Sequence, residues 1–194
     1  MATYPAIASI SQAIIGILAD GAPQPEFASA RFELFQVDDW QQSTPLDEGV
    51  SLYLYSVTMS PVQRNLRVTR SDPKRPPLPL DLHYVLTAWG RTAIVQQRLL
   101  GWSARALADL PVLNAGLLNH YGRPERAFGD GEYVDLVPEA LSMQDMTHVW
   151  DLLKPNAACS LTYVARMVYI ESVLEDRIYD PIQTRLFDYE KAES

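Results

Sequence analysis

The sequence predicts an α+β domain, with a mixed, mostly antiparallel sheet and helices packed against it. Three observations lead there. The stretch 78–110 alternates like a strand, then switches after Gly90 to a helical period. The periodic segments along the whole chain run in the order α-β-β-β-α-β-α-β, with no internal repeat. Apolar residues make up 47% of the 194, enough for a core, while charged residues stay at 21%, as in an ordinary soluble chain.

Taken in order, Pro5 fits the first turn of a helix, where a missing N–H costs nothing. Behind it Ile7, Ile10, Ile14, Ile17 and Leu18 trace a stripe that stops at Asp20-Gly21. Residues 22–30, with Pro23 and Pro25, form a loop, 31–37 alternates weakly as a strand, and 38–49 is a polar connector. In 50–59, Val50, Leu52 and Leu54 point one way and Tyr53, Tyr55, Val57 and Met59 the other. Bulk on both sides predicts a central strand, or one covered on both faces. Residues 60–79 are irregular, with five prolines and five Arg/Lys residues. So long a connection is uncommon inside a compact domain, which makes it a candidate partner-binding arm.

In the next strand Leu80, Leu82, Tyr84, Leu86 and Ala88 share one face, and Asp81, His83, Val85, Thr87 and Trp89 the other. Val95, Leu99, Trp102, Ala106 and Leu110 then recur every three or four residues. Leu100 and Leu107 widen that stripe, predicting a helix packed in a core, and Pro111 ends it. Gly101 inside it costs about 1 kcal/mol against alanine, which predicts tight packing beside Trp102 or close approach of a neighbour. Residues 111–131 read as a second irregular stretch and 132–137 as a short strand. Ser142 is placed to cap a helix with Asp145 in its first turn, Met143, Met146, Val149, Trp150 and Leu153 on its apolar face, and Pro155 beyond. Residues 159–174 make the last strand. The expected organisation is one domain over 1–174 and a C-terminal tail or arm over 175–194.

Composition excludes several function classes. A net charge of −8 without a basic stripe argues against a nucleic-acid partner, because such binding rests on clustered Lys and Arg. No run approaches the ~18–20 apolar residues that span a bilayer, so no direct membrane insertion is expected. The start of the chain carries no secretion signal, which predicts assembly in the cytoplasm. Cys159 is the single cysteine, so no internal disulfide forms, and its place before an apolar strand predicts a small buried residue.

Chemistry is poorly supplied. Asp81 and His83 lie on one strand face, close enough to share a proton, but neither a nucleophile nor a metal partner is marked by spacing. His120 and His148 fit no metal motif, and neither a GxSxG elbow nor a phosphate loop occurs; Ser103 falls inside a predicted helix. The expectation is a protein that is not an enzyme and needs no cofactor or metal.

A set of ordered motifs points elsewhere. Tyr4-Pro5-Ala6-Ile7-Ala8, Gly49-Val50-Ser51-Leu52-Tyr53-Leu54-Tyr55 and Arg64-Asn65 come first. The series from Pro77 to Ala88 follows, then Gln97-Arg98-Leu99-Leu100-Gly101-Trp102, Pro111-Val112-Leu113, Val137-Pro138-Glu139, Leu141-Ser142-Met143 and Val149-Trp150. Together, over about 4–174, these resemble the N-terminal domain of the cap, or tail-terminator, protein of phage-tail-like contractile injection systems, of the antifeeding-prophage and virulence-cassette type. The resemblance implies a tail-terminator-like fold with extended arms. It also implies a structural role: a homohexameric ring that ends the inner tube and contractile sheath, with the tube and sheath proteins as partners. The particle would be released or membrane-associated. The alternative is a non-catalytic adaptor of the same particle, binding baseplate or cargo as a monomer or dimer. The 60–79 and 115–131 loops and the tail depart from the family pattern. Arg64, Asn65 and Arg67 on the first arm, and Tyr179, Phe187 and Tyr189 in the tail, are the candidate partner-binding residues.

Overall fold

A computed structural model describes residues 2–41, 46–61, 75–124, 126–152 and 158–174. In chain order these form α1 (Ala6–Gly21), β1 (Arg31–Leu34), a 3-10 turn (Val37–Gln41), β2 (Gly49–Met59) and β3 (Leu78–Trp89). Then come α2 (Ala93–Ala108), β4 (Val112–Asn114), α3 (Ala115–Tyr121), β5 (Tyr133–Glu139), α4 (Met143–Leu152) and β6 (Ser160–Ile170). The strands make one sheet in the order β1-β2-β3-β6-β5-β4. Among the described strands the β1–β2 pair is parallel and the other neighbours are antiparallel. This is the α+β, mixed-sheet class that the periodicity predicts.

The strand–helix unit at 78–110 sits at the centre. β3 pairs with β2 on one side and β6 on the other, and Leu82, Tyr84, Leu86 and Ala88 are fully buried beneath the helices. Period-2 alternation places them on one face with Val50 and Leu52 of β2 and Ala165 and Val168 of β6. α1 closes that face with Ile10, Ile14 and Leu18, all buried, and Tyr84 donates or accepts a 3.0 Å bond with the Ser11 hydroxyl inside it. α2 starts where Thr92 accepts from the Val95 amide and ends at Ala108, as the proline predicts. It packs into the main core through Leu99 and Leu107, with Val95, Leu100, Trp102 and Ala106 partly buried against it, whereas Leu110 is exposed beyond its end.

The other face is smaller. Val85 and Trp89 pack with Phe35, Trp40, Leu46 and Val149, and Tyr53, Tyr55 and Leu141 lean on them. Trp40, in the stretch that reads as polar connector, is almost fully buried and stacks within 5.3 Å of Trp89. α4 covers part of this face. It begins as the sequence predicts, with the Asp145 amide donating to Ser142 Oγ at 3.1 Å.

Several expectations change. The 111–131 stretch is not all irregular, because it holds β4 and α3. Asn114 caps α3 by accepting from the Leu117 amide at 3.0 Å, and Leu113 and Leu118 are fully buried. Elements of three and seven residues are too short to display a period, so only the cap residue marks them. Gly16 is the counterpart in α1: a Cβ there would lie 2.2 Å from the Tyr121 ring, so a glycine lets α3 dock closely. Gly49 has φ +152° and a Cβ there would lie 2.0 Å from the Arg31 carbonyl oxygen, which lets β1 close on β2. Gly101, by contrast, faces open space among the described residues, so tight packing within this chain does not explain it. Cys159 is exposed, not buried, because β6 begins one residue later.

β-Bulges account for two further changes. Between Leu54 and Ser56 the pairing of β2 with β3 slips by one residue. An extra residue reverses the faces beyond it, so Val57 and Met59 stand opposite Leu82 and Leu80 instead of continuing the Tyr53 side. On β6, Arg166 and Met167 together oppose Asp81, and Met167 takes a left-handed φ of 54°. Asp81 Oδ1 accepts from the Met167 amide at 2.9 Å, satisfying a backbone donor that the bulge releases from the ladder. Asp81 is therefore a bulge clamp, and it does not pair with His83.

Candidate functional site

The six residues selected on the two arms, Arg64, Asn65, Arg67, Tyr179, Phe187 and Tyr189, lie outside the described residues. The structure does describe where those segments leave the fold, and they leave at the same end of the sheet. β2 ends at Met59 and β3 begins at Leu78, tied by the Ser60 amide donating to the Pro79 carbonyl at 3.0 Å. β6 reaches Ile170 opposite Leu78, and the Arg75 amide donates to the Leu174 carbonyl at 3.3 Å. Met59, Leu78, Val173 and Leu174 are all exposed apolar residues at this end. Single exposed apolar side chains need no explanation, but several at one end of a sheet make a surface suited to another chain.

A second feature lies on the polar half of the smaller face, next to α4. Here Thr58 of β2, His83 of β3 and Glu139 of β5 meet although they are far apart in sequence. His83 Nδ1 lies 2.9 Å from Glu139 Oε2, and His83 Nε2 lies 2.9 Å from Thr58 Oγ1. The Tyr55 hydroxyl donates to the same Glu139 oxygen at 3.2 Å. Burial, with Glu139 beside it, pushes the Tyr55 hydroxyl well above the ordinary tyrosine range, so it remains a donor. An ionised Glu139 can only accept, which places a His83 proton on Nδ1; in the neutral ring Nε2 then accepts from the Thr58 hydroxyl. A cavity of about 380 Å³ opens beside this chain of bonds, lined also by Ser56, Leu141, Asp145, His148 and Val149. Sequence spacing picks out His83 but pairs it with Asp81. Its true partners, 25 and 56 residues away, become neighbours through strand order and the β2 bulge.

A third feature is a cleft of about 250 Å³ where β5 begins and β6 runs on past it. Ala2, Phe128, Tyr133, Arg166, Met167 and Tyr169 contribute to its walls. The bulge at Met167 helps open it, since β5 pairs with β6 no further than Arg166. Among the described residues, no group of three or more His, Cys, Asp or Glu side chains could hold a metal ion. Among them, too, no helix is long and apolar enough to cross a membrane.

Comparison with known proteins bears on the larger role. The model of the Pvc16 N-terminal domain family matches residues 9–184. No curated protein matches the chain. Two cryo-EM structures share the fold. One is the sheath/tube terminator, in its extended state, of an extracellular contractile injection system of the PVC type. It is 17% identical with a TM-score of 0.54, over 96% of this chain and 65% of that one. The other is the tube-terminating cap of the anti-feeding prophage, 12% identical with a TM-score of 0.57, over 93% of this chain and 60% of that one. The chain thus spans less than two thirds of either terminator. The expected fold, a tail-terminator-like α+β domain, matches these structures, and the resemblance carried by the sequence motifs agrees with the family model. This chain belongs to the Pvc16 N-terminal domain family.

Proposed function

We propose that this protein is a terminator subunit of a contractile injection particle, forming a closed ring of six copies on the end of the inner tube and contractile sheath. The observation that carries this reading is the family match over residues 9–184, together with a fold shared with two terminators from such particles. The role is one of binding surfaces. A terminator must contact its own copies around a closed rotation and offer the tube and sheath no surface for further growth. The apolar end of the sheet, from which the 60–79 and 175–194 segments depart, is suited to such contacts, and extended segments add to neighbouring sheets through main-chain hydrogen bonds. The 1–174 segment acts as the domain and 175–194 as its arm. Assembly occurs in the cytoplasm, before the particle is released or held at a membrane.

Native mass spectrometry of the purified protein tests the ring directly. Six copies, and their retention on isolated tubes, are the expected result; one or two copies that ignore tube and sheath would instead fit a particle adaptor. In cells, loss of the protein should give particles of uncontrolled length, and particles of normal length would overturn the reading.

A further inference from the structure

We propose that Thr58, His83 and Glu139 form an acyl-transfer site that hydrolyses carboxylic esters with short acyl chains. The roles follow from geometry. A nucleophilic hydroxyl needs a base within hydrogen-bond reach, and that base needs a third group to fix its tautomer. Thr58 Oγ1 stands 2.9 Å from His83 Nε2, and His83 Nδ1 stands 2.9 Å from Glu139 Oε2, so all three parts are in place. Thr58 is exposed and can meet a substrate, whereas His83 is largely covered, its side chain 16% exposed. Tyr55 adds a second donor to Glu139 and holds the carboxylate in position. It is a positioning residue, as is Glu139.

The adjoining cavity supplies the rest. Leu141 and Val149 give it an apolar wall that fits a short acyl chain, and His148 of α4 also lines it. His148, to which no described residue hydrogen-bonds, is the group assigned to stabilise the developing oxyanion. In the first step the Thr58 Oγ–H proton passes to His83 Nε2 as Oγ bonds to the ester carbonyl carbon. The carbon–alkoxy bond then breaks, and the departing alcohol takes the proton from His83. Water, giving its proton to the same nitrogen, attacks the acyl-Thr58 ester. The carboxylic acid leaves, Thr58 Oγ regains its proton, and the net change is ester plus water to acid plus alcohol.

The family and its terminators play no part in this inference, so it stands or falls apart from the proposed ring. The test treats the full chain with 4-nitrophenyl butyrate and, separately, with an alkyl fluorophosphonate followed by peptide mass spectrometry. Saturable hydrolysis and one phosphonyl adduct on Thr58 are expected. Thr58→Ala should abolish the adduct, His83→Gln should lower turnover by about 10²–10⁴-fold, and Thr58→Ser, with its less hindered hydroxyl, should raise it. A folded protein, checked by circular dichroism, that takes no adduct at Thr58 overturns the proposal. So does a Thr58→Ala or a His83→Gln variant with undiminished turnover.

Discussion

The two faces of the sheet are built on different terms. Under α1, α2 and α3 the layer is aliphatic and continuous, with Ile10, Ile14, Leu18, Leu52, Leu82, Leu86, Leu99 and Leu118 all essentially without exposure. Buried apolar area at about 25 cal/mol per Å² makes this face the main source of stability. Across the sheet, an aromatic cluster of Phe35, Trp40 and Trp89 fills one part, and hydrogen-bonded Tyr55, Thr58, His83 and Glu139 occupy another. α4 packs on this face through Val149, its one buried apolar residue among the described residues. One face thus holds the fold together, while the other keeps polar groups and a cavity that a packed core would exclude. A domain that uses one face for stability leaves its second face, and its sheet end, free for other chains or ligands.

Substitutions can break this contrast, and the largest effects belong to the aliphatic face. Leu82→Ala should cost about 2–5 kcal/mol in urea unfolding, through lost burial and the cavity left behind. A loss below ~1 kcal/mol would show that this face is not the source of stability. Gly16→Ala should cost about 1–3 kcal/mol, since the new methyl strikes the Tyr121 ring and forces α1 and α3 apart. Calorimetry would read the loss, and Tyr121→Ala in the same chain should recover part of it. Asp81→Ala should cost about 1–3 kcal/mol by stripping the Met167 amide of its acceptor. Faster hydrogen exchange at Met167 is the specific signature, and an unchanged rate would remove Asp81 from the bulge.

Effects on the second face should be smaller and local. Val149→Ala should cost about 1–2 kcal/mol and raise exchange throughout α4 while β3 stays protected. Equal loosening of both would mean that α4 belongs to the main core. Alkali bears on both faces, since Tyr55 and Tyr84 are both held above the ordinary tyrosine range by burial. Tyr84 is buried in the aliphatic core, and burial holds its hydroxyl well above the ordinary range, against a smaller opposing effect from Ser11. A pKa raised on folding gives stability that is complete below the unfolded value of ~10 and is lost as pH climbs toward the folded one. Tyr84→Phe should therefore flatten the fall in stability above pH ~10, read as the midpoint of urea unfolding across that range. A fall as steep as in the wild type would assign alkaline loss to other groups.

Much of the scaffold was legible because long elements carry their period in the chain. α1, β2, β3, α2 and α4 each repeat a pattern often enough to be read, and Ser142 and Pro111 mark ends as cap and breaker residues do. The shorter β4 and α3 were hidden, though Asn114 was a usable cap signal. Trp40 sat unnoticed in a polar stretch because one buried aromatic makes no periodicity. At the candidate site His83 was visible, but its neighbours were not. A residue's partner along a strand can be guessed from spacing, whereas partners on other strands depend on sheet order.

By itself, then, the sequence determined the class of fold, the central strand and helix, the apolar face that they bury, and a pattern of motifs specific enough to place the family. These are local properties, written in residue periodicity and in ordered motifs. Tertiary structure alone decided that Asp81 clamps a bulge on β6, that Val57 and Met59 change sides beyond Tyr55, and that Thr58 and Glu139 come to His83 from either side. Each depends on a one-residue slip in register or on which strands lie side by side. Such facts arise from long-range pairing, where inserting a single residue moves every later side chain to the opposite face.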